Sequence, residues 1–375
     1  MTIFDAVPLD ELRARTSIKW RHYPPDVLPL WVAEMDVPLA EPVVRAVADA
    51  MRRGDTGYDV EGLYGEAFAP FARDRHGWEL DPATARSVTD VMVGSAEVLS
   101  LLTDPGDAVV INPPVYPPFV DFIEHAGRRV VPAALGEDGR LDLEVLDTAF
   151  AEARASGGRA AYLLCHPHNP TGTVHTADEL AAVGELARAR GVRVVADEIH
   201  APLVLHGTFV PTTTVIPDAI ALHSASKAFN LAGLKAAVAV PGPAAVDDLA
   251  RLPEIIRHAV SHVGTLAHAA AFTDGGPWLD EVLAGLRTNQ VLLAEHLQTH
   301  VPSARWEPPP STYFAWIDLR AYGESPSRRL LHRGRLAVND GLTFGPASHG
   351  FVRLNLAAST ATLIEAVRRM AAALA

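Results

Sequence analysis

With 375 residues, 49% of them apolar and 21% charged, the chain has the make-up of a folded globule, either one large α/β unit or two to three smaller domains. That excludes a disordered chain and a collagen-like fibre. Thirty-two Lys and Arg against 45 Asp and Glu leave a formal charge of −13, which repels phosphate backbones and anionic lipid and argues against a nucleic-acid partner.

The chain begins with a Pro-rich, weakly periodic stretch over about residues 1–45, which reads as an arm with part of a small domain. Its first residues (Asp5, Asp10, Glu11) have neither the basic start nor the apolar core of a secretory signal. No uninterrupted apolar run approaches the roughly 18 residues of a membrane helix. A cytoplasmic protein without a membrane partner is expected, and the single cysteine, Cys165, has no second cysteine to pair with.

From about Val43 to Val240, β-rich runs alternate with helical patterns, as in strand–helix–strand units with a mostly parallel sheet. The spacing predicts a helix start at Ser95–Thr103, a strand at Ala108–Asn112, a helix at Phe119–His125 and a strand at Arg129–Ala133. Ala160–Cys165 is a strand ended by His-Pro-His-Asn-Pro-Thr-Gly. Thr176 with Glu179 is a capping box, Gly191 closes that helix, and Val192–Ala196 is the next buried strand, with Asp197-Glu198-Ile199-His200 at its end. Ala219–His223 repeats the device before Ser224-Ala225-Ser226-Lys227. After Gly276 a long helix (Trp278 to about His300), strands at Tyr313–Leu319 and Phe351–Leu356 and a closing helix from Thr360 read as a smaller α+β domain. The expected division is 1–45 for the arm and part of the small domain, 46–280 for the large domain and 281–375 for the rest of the small one.

Ligands of open α/β sheets bind at the carboxyl ends of strands. Asn169, Asp197 and Lys227 all follow strand ends, 28 and 30 residues apart, about one strand–helix–strand step each. A lysine, a carboxylate and an amide converging there suit pyridoxal phosphate: the lysine bonds its aldehyde, the carboxylate keeps its pyridine nitrogen protonated, the amide meets its phenolic oxygen. Gly94-Ser95-Ala96 before an apolar run offers the Ser95 and Ala96 amides to an anion, and Ser224 and Ser226 add hydroxyls. Cys165, His166, His168, Asp197 and His200 have metal-ligand chemistry, but adjacent Cys165 and His166 would face opposite ways and the prolines suit a turn; no metal is expected.

The motifs Lys19-Trp20, Leu28-Pro-Leu-Trp-Val-Ala-Glu-Met-Asp36, Gly57-Tyr58, Pro113-Pro-Val-Tyr116, Pro167-His-Asn-Pro-Thr-Gly172, Asp197-Glu-Ile-His200, Ser224-Ala-Ser-Lys-Ala-Phe-Asn-Leu-Ala-Gly-Leu234 and Val352-Arg-Leu-Asn-Leu356 run in family order over nearly the whole chain. In them the sequence resembles the fold-type I pyridoxal-phosphate enzymes, and within these the MalY/PatB group of cystathionine β-lyase-like C–S lyases. The resemblance implies a large domain with a mostly parallel sheet flanked by helices, a smaller α+β domain, and a homodimer with a shared site. It implies that Lys227 is the Schiff-base lysine and the base for the substrate Cα proton, with Tyr116 stacking on the ring beside it. Asp197 pairs with the ring nitrogen, Asn169 with the phenolic oxygen, and His200 lies by the ring edge. Lys235 stands where many relatives have a phosphate-binding arginine, and Tyr58 reaches the neighbouring subunit's phosphate. Arg353 clamps the α-carboxylate of an amino-acid substrate, and Trp31, Val32 and Ala33 line the substrate side.

The implied reaction is β-elimination from cystathionine or another S-substituted cysteine. The residues themselves leave open transamination, cleavage of a bulky S-cysteine conjugate in a specialised pathway, and a non-catalytic regulatory role, against which Lys227 argues. The chain departs from its relatives at Pro117, where many have a second tyrosine, and at Thr173-Val174-His175, where Arg-Val-Trp is common.

Overall fold

The computed structural model describes residues 2–375, the side chain of Arg257 apart, and the chain divides into two compact units. The larger comprises Leu39–His168 and Thr173–Gly276; the smaller comprises the residues up to Pro38, Asn169–Gly172 and Pro277–Ala375. Helix Glu41–Arg53, which the expected boundary at 45 would cut, belongs to the larger unit because it packs on helix His262–Asp274. The turn Asn169–Gly172 joins the smaller unit, where Ser311 Oγ donates to the Gly172 carbonyl at 2.7 Å.

In the larger unit, strands β1 (Arg86–Val88), β2 (Ala108–Ile111), β3 (Arg129–Pro132), β4 (Ala160–Cys165), β5 (Val192–Asp197), β6 (Ile220–His223) and β7 (Ala237–Pro241) form one sheet in the order β1-β7-β6-β5-β4-β2-β3. β3, β2, β4, β5 and β6 are parallel, and β7 runs antiparallel to both β6 and β1. Side chains alternate between two cores. Val109, Ile111, Leu163, Val195 and Leu222 pack with helix Val91–Leu102, whereas Val110, Tyr162, Leu164, Val194 and Ala196 pack with helices Leu143–Arg154 and Ala177–Arg190. Helices on both faces explain why these strands read as unbroken apolar runs. Each fully buried Leu or Val contributes about 1.5–3 kcal/mol. The parallel arrangement brings the carboxyl ends of β2, β4, β5 and β6 to one edge, where the sequence places Tyr116, His166, Asp197 and Ser224.

The capping box forms as read, with Thr176 Oγ1 accepting from the Glu179 amide and Glu179 Oε2 from the Thr176 amide, and Gly191 closes the helix at φ 67°. The helix expected from Ser95 starts instead at Val91, with Asp90 as its N-cap accepting from the Val93 amide at 2.8 Å. Gly94 therefore lies inside the helix. A Cβ there would sit 2.6 Å from Val88 Cγ2 and 3.1 Å from Leu222 Cδ1, so this glycine serves close helix–sheet approach.

The smaller unit holds an antiparallel sheet in the order Asn339–Asp340, Phe351–Asn355, Phe314–Asp318, and a parallel pairing of Leu28–Pro29 with Leu336–Ala337. The long helix ending at His300 and the helix Thr360–Leu374 complete it. Among the described residues no helix is long and apolar enough to cross a membrane.

Gly172 adopts φ 72°, and an added Cβ would lie 2.5 Å from Pro309 Cβ and 2.7 Å from the Ser311 carbonyl oxygen. Gly172→Ala is therefore expected to cost about 2–4 kcal/mol in urea unfolding, combining left-handed strain with overpacking. A change within about 0.5 kcal/mol would contradict this packing.

Candidate active site

Strand β5 delivers Asp197 into a buried position at its carboxyl end, 5% exposed. Its Oδ1 accepts from the Ile199 amide at 3.1 Å. Burial penalises the ionised form and pushes the carboxyl up to about 7, although the Ile199 hydrogen bond and the Lys227 charge pull the other way. Lys227 sits half-buried in the short helix Ala225–Ala228 that follows β6. The larger unit thus brings together the lysine and carboxylate on which the sequence argument turned. Tyr116, after β2, is half-buried against the core of helix Val91–Leu102, with its ring edge-on to Phe119 at 6.4 Å. His200 follows β5 and is buried.

Three expectations about the anion end are corrected. Ser95 and Ala96 lie in the second turn of helix Val91–Leu102, so their amides belong to its internal ladder rather than to its open end. The open donors are the amides of Val91 and Met92, one turn earlier, a position masked in sequence by the apolar run around them. Ser95 instead faces inward, its hydroxyl buried without a hydrogen-bond partner among the described residues. Ser224 donates its single hydroxyl proton to the Ala236 carbonyl at 2.8 Å and accepts from the Ser226 amide, so it caps the Lys227 turn and is not the available donor expected. Ser226 stays half-buried in that turn. Lys235 Nζ lies 2.8 Å from Asp90 Oδ2, which puts a cation beside the same helix start. Tyr58 is 88% exposed in a loop tethered by Asp55 and Asp59, both within 3.3 Å of the His262 ring.

Behind Asp197, Glu198, which in sequence stands out only as part of a motif, is fully buried, 2.9 Å from His223 Nε2, and accepts from the Thr212 amide at 2.8 Å. Burial alone would raise its carboxyl, but His223 and Thr212 outweigh burial and hold it below its ordinary value. His166 stacks on Phe209 and on His175; its Nδ1 accepts from the His175 amide. Burial lowers both histidines. Among the described residues no group of three or more His, Cys, Asp or Glu could hold a metal ion.

In the smaller unit, Arg353 projects from strand Phe351–Asn355 and is 5% exposed. Nη1 donates to Asn169 Oδ1 at 2.9 Å, and Nη2 donates to Asn339 Oδ1 at 2.8 Å and to the Trp31 carbonyl at 3.3 Å. Phe314 and Phe344 lie 4.0 and 4.9 Å from its Cζ. Neutral oxygens and ring faces therefore hold a positive charge in a fixed plane. The segment Trp31, Val32 and Ala33 is fixed through its backbone. Arg353 takes the Trp31 carbonyl, Asn355 Nδ2 those of Val32 and Glu34 at 2.8 Å each, and Tyr313 Oη that of Ala33 at 3.4 Å. Lys19 adds a bond to Glu34 O and a 2.6 Å ion pair with buried Asp36. The roles of Asn355 and Tyr313 escaped sequence reasoning because their partners lie hundreds of residues away, and Asn339, 14 positions before Arg353, stands in a two-residue strand with no local signature.

The chain matches the family described as aminotransferase class I and II over residues 26–370. A candidate cystathionine beta-lyase of Mycobacterium leprae is 48% identical over 392 residues, covering 99% of this chain and 98% of that protein. The cystathionine beta-lyase of Corynebacterium glutamicum is 35% identical, covering 98% and 99%. The crystal structure of a candidate PLP-dependent beta-cystathionase from Corynebacterium diphtheriae superposes with a TM-score of 0.92 at 33% identity, covering 100% of this chain and 99% of that one. The chain belongs to the aminotransferase class I and II family.

Proposed function

We propose that this protein is a pyridoxal 5′-phosphate-dependent carbon–sulfur β-lyase that cleaves cystathionine or another S-substituted L-cysteine to thiol, pyruvate and ammonia. The observation that carries the reading is Lys227 acting on the buried carboxyl of Asp197, which burial pushes up to about 7. A protonated pyridine nitrogen against that carboxyl would stabilise its ionised form, so the residues suit the coenzyme. Its phosphate would meet the Val91 and Met92 amides at the start of a 12-residue helix, the Lys235 ammonium and the Ser226 hydroxyl. Relatives named cystathionine beta-lyase, aligned along almost the whole chain, support elimination as the reaction.

When bound, pyridoxal phosphate supplies an aldehyde for an amino group and a ring that accepts electron density from the α-carbon. Lys227 provides the amine that holds it and the base that takes the substrate Cα proton. Asp197 keeps the ring nitrogen protonated, Asn169 serves the ring oxygen through Nδ2, Tyr116 stacks on the ring and His200 packs near its edge. Arg353 grips the substrate α-carboxylate with two N–H groups, and Trp31, Val32 and Ala33 wall the side chain. With sulfur on the β-carbon, the C–S bond breaks with its electron pair on the departing thiolate, and water then releases pyruvate and ammonia. Transamination remains the second reading, favoured by the family to which the chain belongs.

Purified protein supplied with cystathionine is expected to yield pyruvate, thiol and ammonia in equal amounts, with Lys227→Ala at least about 10³-fold slower. Amino-group transfer to a keto acid without pyruvate from the donor would overturn the lyase reading. The exposed Tyr58 fits a homodimer in which it reaches the partner's coenzyme phosphate. Sedimentation is expected to show a dimer, and Tyr58→Ala to weaken coenzyme retention about tenfold, the loss of one charge-assisted hydrogen bond; a fully active monomer would contradict this. In coenzyme-free protein the folded state holds a proton on Asp197 up to about pH 7, which the unfolded chain releases near its ordinary value of 3.8. Stability therefore falls as pH rises between those values, and the cost of the buried charge is complete above 7. Asp197→Asn is expected to be more stable than wild type at pH 8, the advantage shrinking by on the order of 2 kcal/mol at pH 5. An advantage independent of pH in urea unfolding would refute that account.

A further inference from the structure

The segment that bears Lys227 meets two buried side chains from outside it, one bonded to its start and the other facing its end. Tyr64, fully buried on helix Leu63–His76, places its hydroxyl 3.2 Å from the Ala225 amide, two residues before Lys227. The same hydroxyl lies 3.0 Å from Nδ1 of His268, fully buried on helix His262–Asp274. The amide can only donate, so the tyrosine oxygen accepts from it; with the imidazole proton on Nε2, toward the Leu231 and Leu234 carbonyls, the tyrosine gives its own proton to His268 Nδ1. That Nε2 faces the two carbonyls without forming a well-aligned hydrogen bond to either.

Burial keeps His268 neutral, with a pKa lowered to about 4, and keeps Tyr64 protonated by raising its pKa, so the direction of the chain is stable at physiological pH. Between these two points the backbone closes on itself. Phe229 N donates to Ala225 O, Leu231 N to Ser226 O and Leu234 N to Leu231 O, each at 2.9 Å, and Asn230 turns the chain at φ 59°. Ring packing fixes the pair sideways, with Tyr64 edge-on to Phe272 at 5.7 Å.

We propose that Tyr64 and His268 are positioning residues that clamp the Ala225–Leu234 segment and so fix where the Lys227 amine stands for proton transfer. The proposal rests on the β-lyase reading for its catalytic consequence but not for the clamp itself. Proton transfer requires hydrogen-bond reach, and a displacement of about 1 Å costs up to 10²-fold. Losing one buried hydrogen bond on the clamp is the smaller version of that error.

The test uses holoenzyme and four variants. Tyr64→Phe and His268→Leu are each expected to lower kcat about tenfold with KM within about twofold, and to raise amide hydrogen exchange across residues 225–234 at least about tenfold. The double variant should be no worse than either alone, because one chain is being cut twice. His268→Asn keeps an acceptor at the Nδ1 position and should recover kcat to within about twofold of wild type. Wild-type kcat and exchange in Tyr64→Phe would overturn the proposal, as would His268→Asn as impaired as His268→Leu. Should the wild-type protein lack lyase activity or coenzyme, the functional reading falls by itself, and protection of 225–234 still decides whether the clamp exists.

Discussion

The proposed chemistry depends on keeping a carboxyl group at the buried end of β5. Asp197 is almost out of water, close enough to feel Lys227, and held by one backbone amide. Burial wins over these two in the protein alone, so the group stays protonated well above the ordinary carboxylate range. Under the proposed function a protonated pyridine nitrogen would reverse that balance by adding a cation beside the carboxyl, and the ionised Asp197 would in turn keep that nitrogen protonated. Glu198 pairs with His223 behind it, which holds that second buried carboxyl below its ordinary value, and the Glu198 charge adds to the rise at Asp197.

The proposed grip on the substrate follows a different design. Arg353 is oriented by two carboxamides, a carbonyl and two phenylalanine faces, which fix its plane. That suits a planar fork meant for a carboxylate. Asn355, Tyr313, Lys19 and Arg353 together take the carbonyls of residues 31–34, so the wall proposed to face the substrate side chain is set by main-chain hydrogen bonds and can vary its side chains without losing shape. Substitutions at Trp31, Val32 and Ala33 are where relatives with different thiol leaving groups should diverge.

Much of this was legible in the amino-acid order. Strand β4 could be read residue by residue because a parallel strand covered on both faces has no polar alternation to confuse it, and the Thr176–Glu179 box and Gly191 marked both ends of their helix by local chemistry. The helix at Val91 was misread because Val91–Val93 has no polar break before Gly94-Ser95, and a glycine that permits close packing looks the same in sequence as one that opens an anion loop. The assignments of Asp197 and Lys227 rested on strand-end spacing, which the sheet preserves. The grip of Tyr64 and His268 on the lysine segment had no local signature: the two residues are 204 positions apart, and only the packing of their helices brings the hydroxyl to the imidazole. For the same reason the turn Asn169–Gly172 was read as part of the large domain, since its attachment to Ser311 spans 139 positions.

In the proposed function all of these arrangements serve one amine, that of Lys227. Borohydride reduction of the holoprotein followed by peptide mapping by mass spectrometry tests this most directly: the account predicts a reduced pyridoxyl phosphate group on the peptide containing Lys227 and on no other. Label on a different lysine, or none on protein that carries the coenzyme, would contradict it.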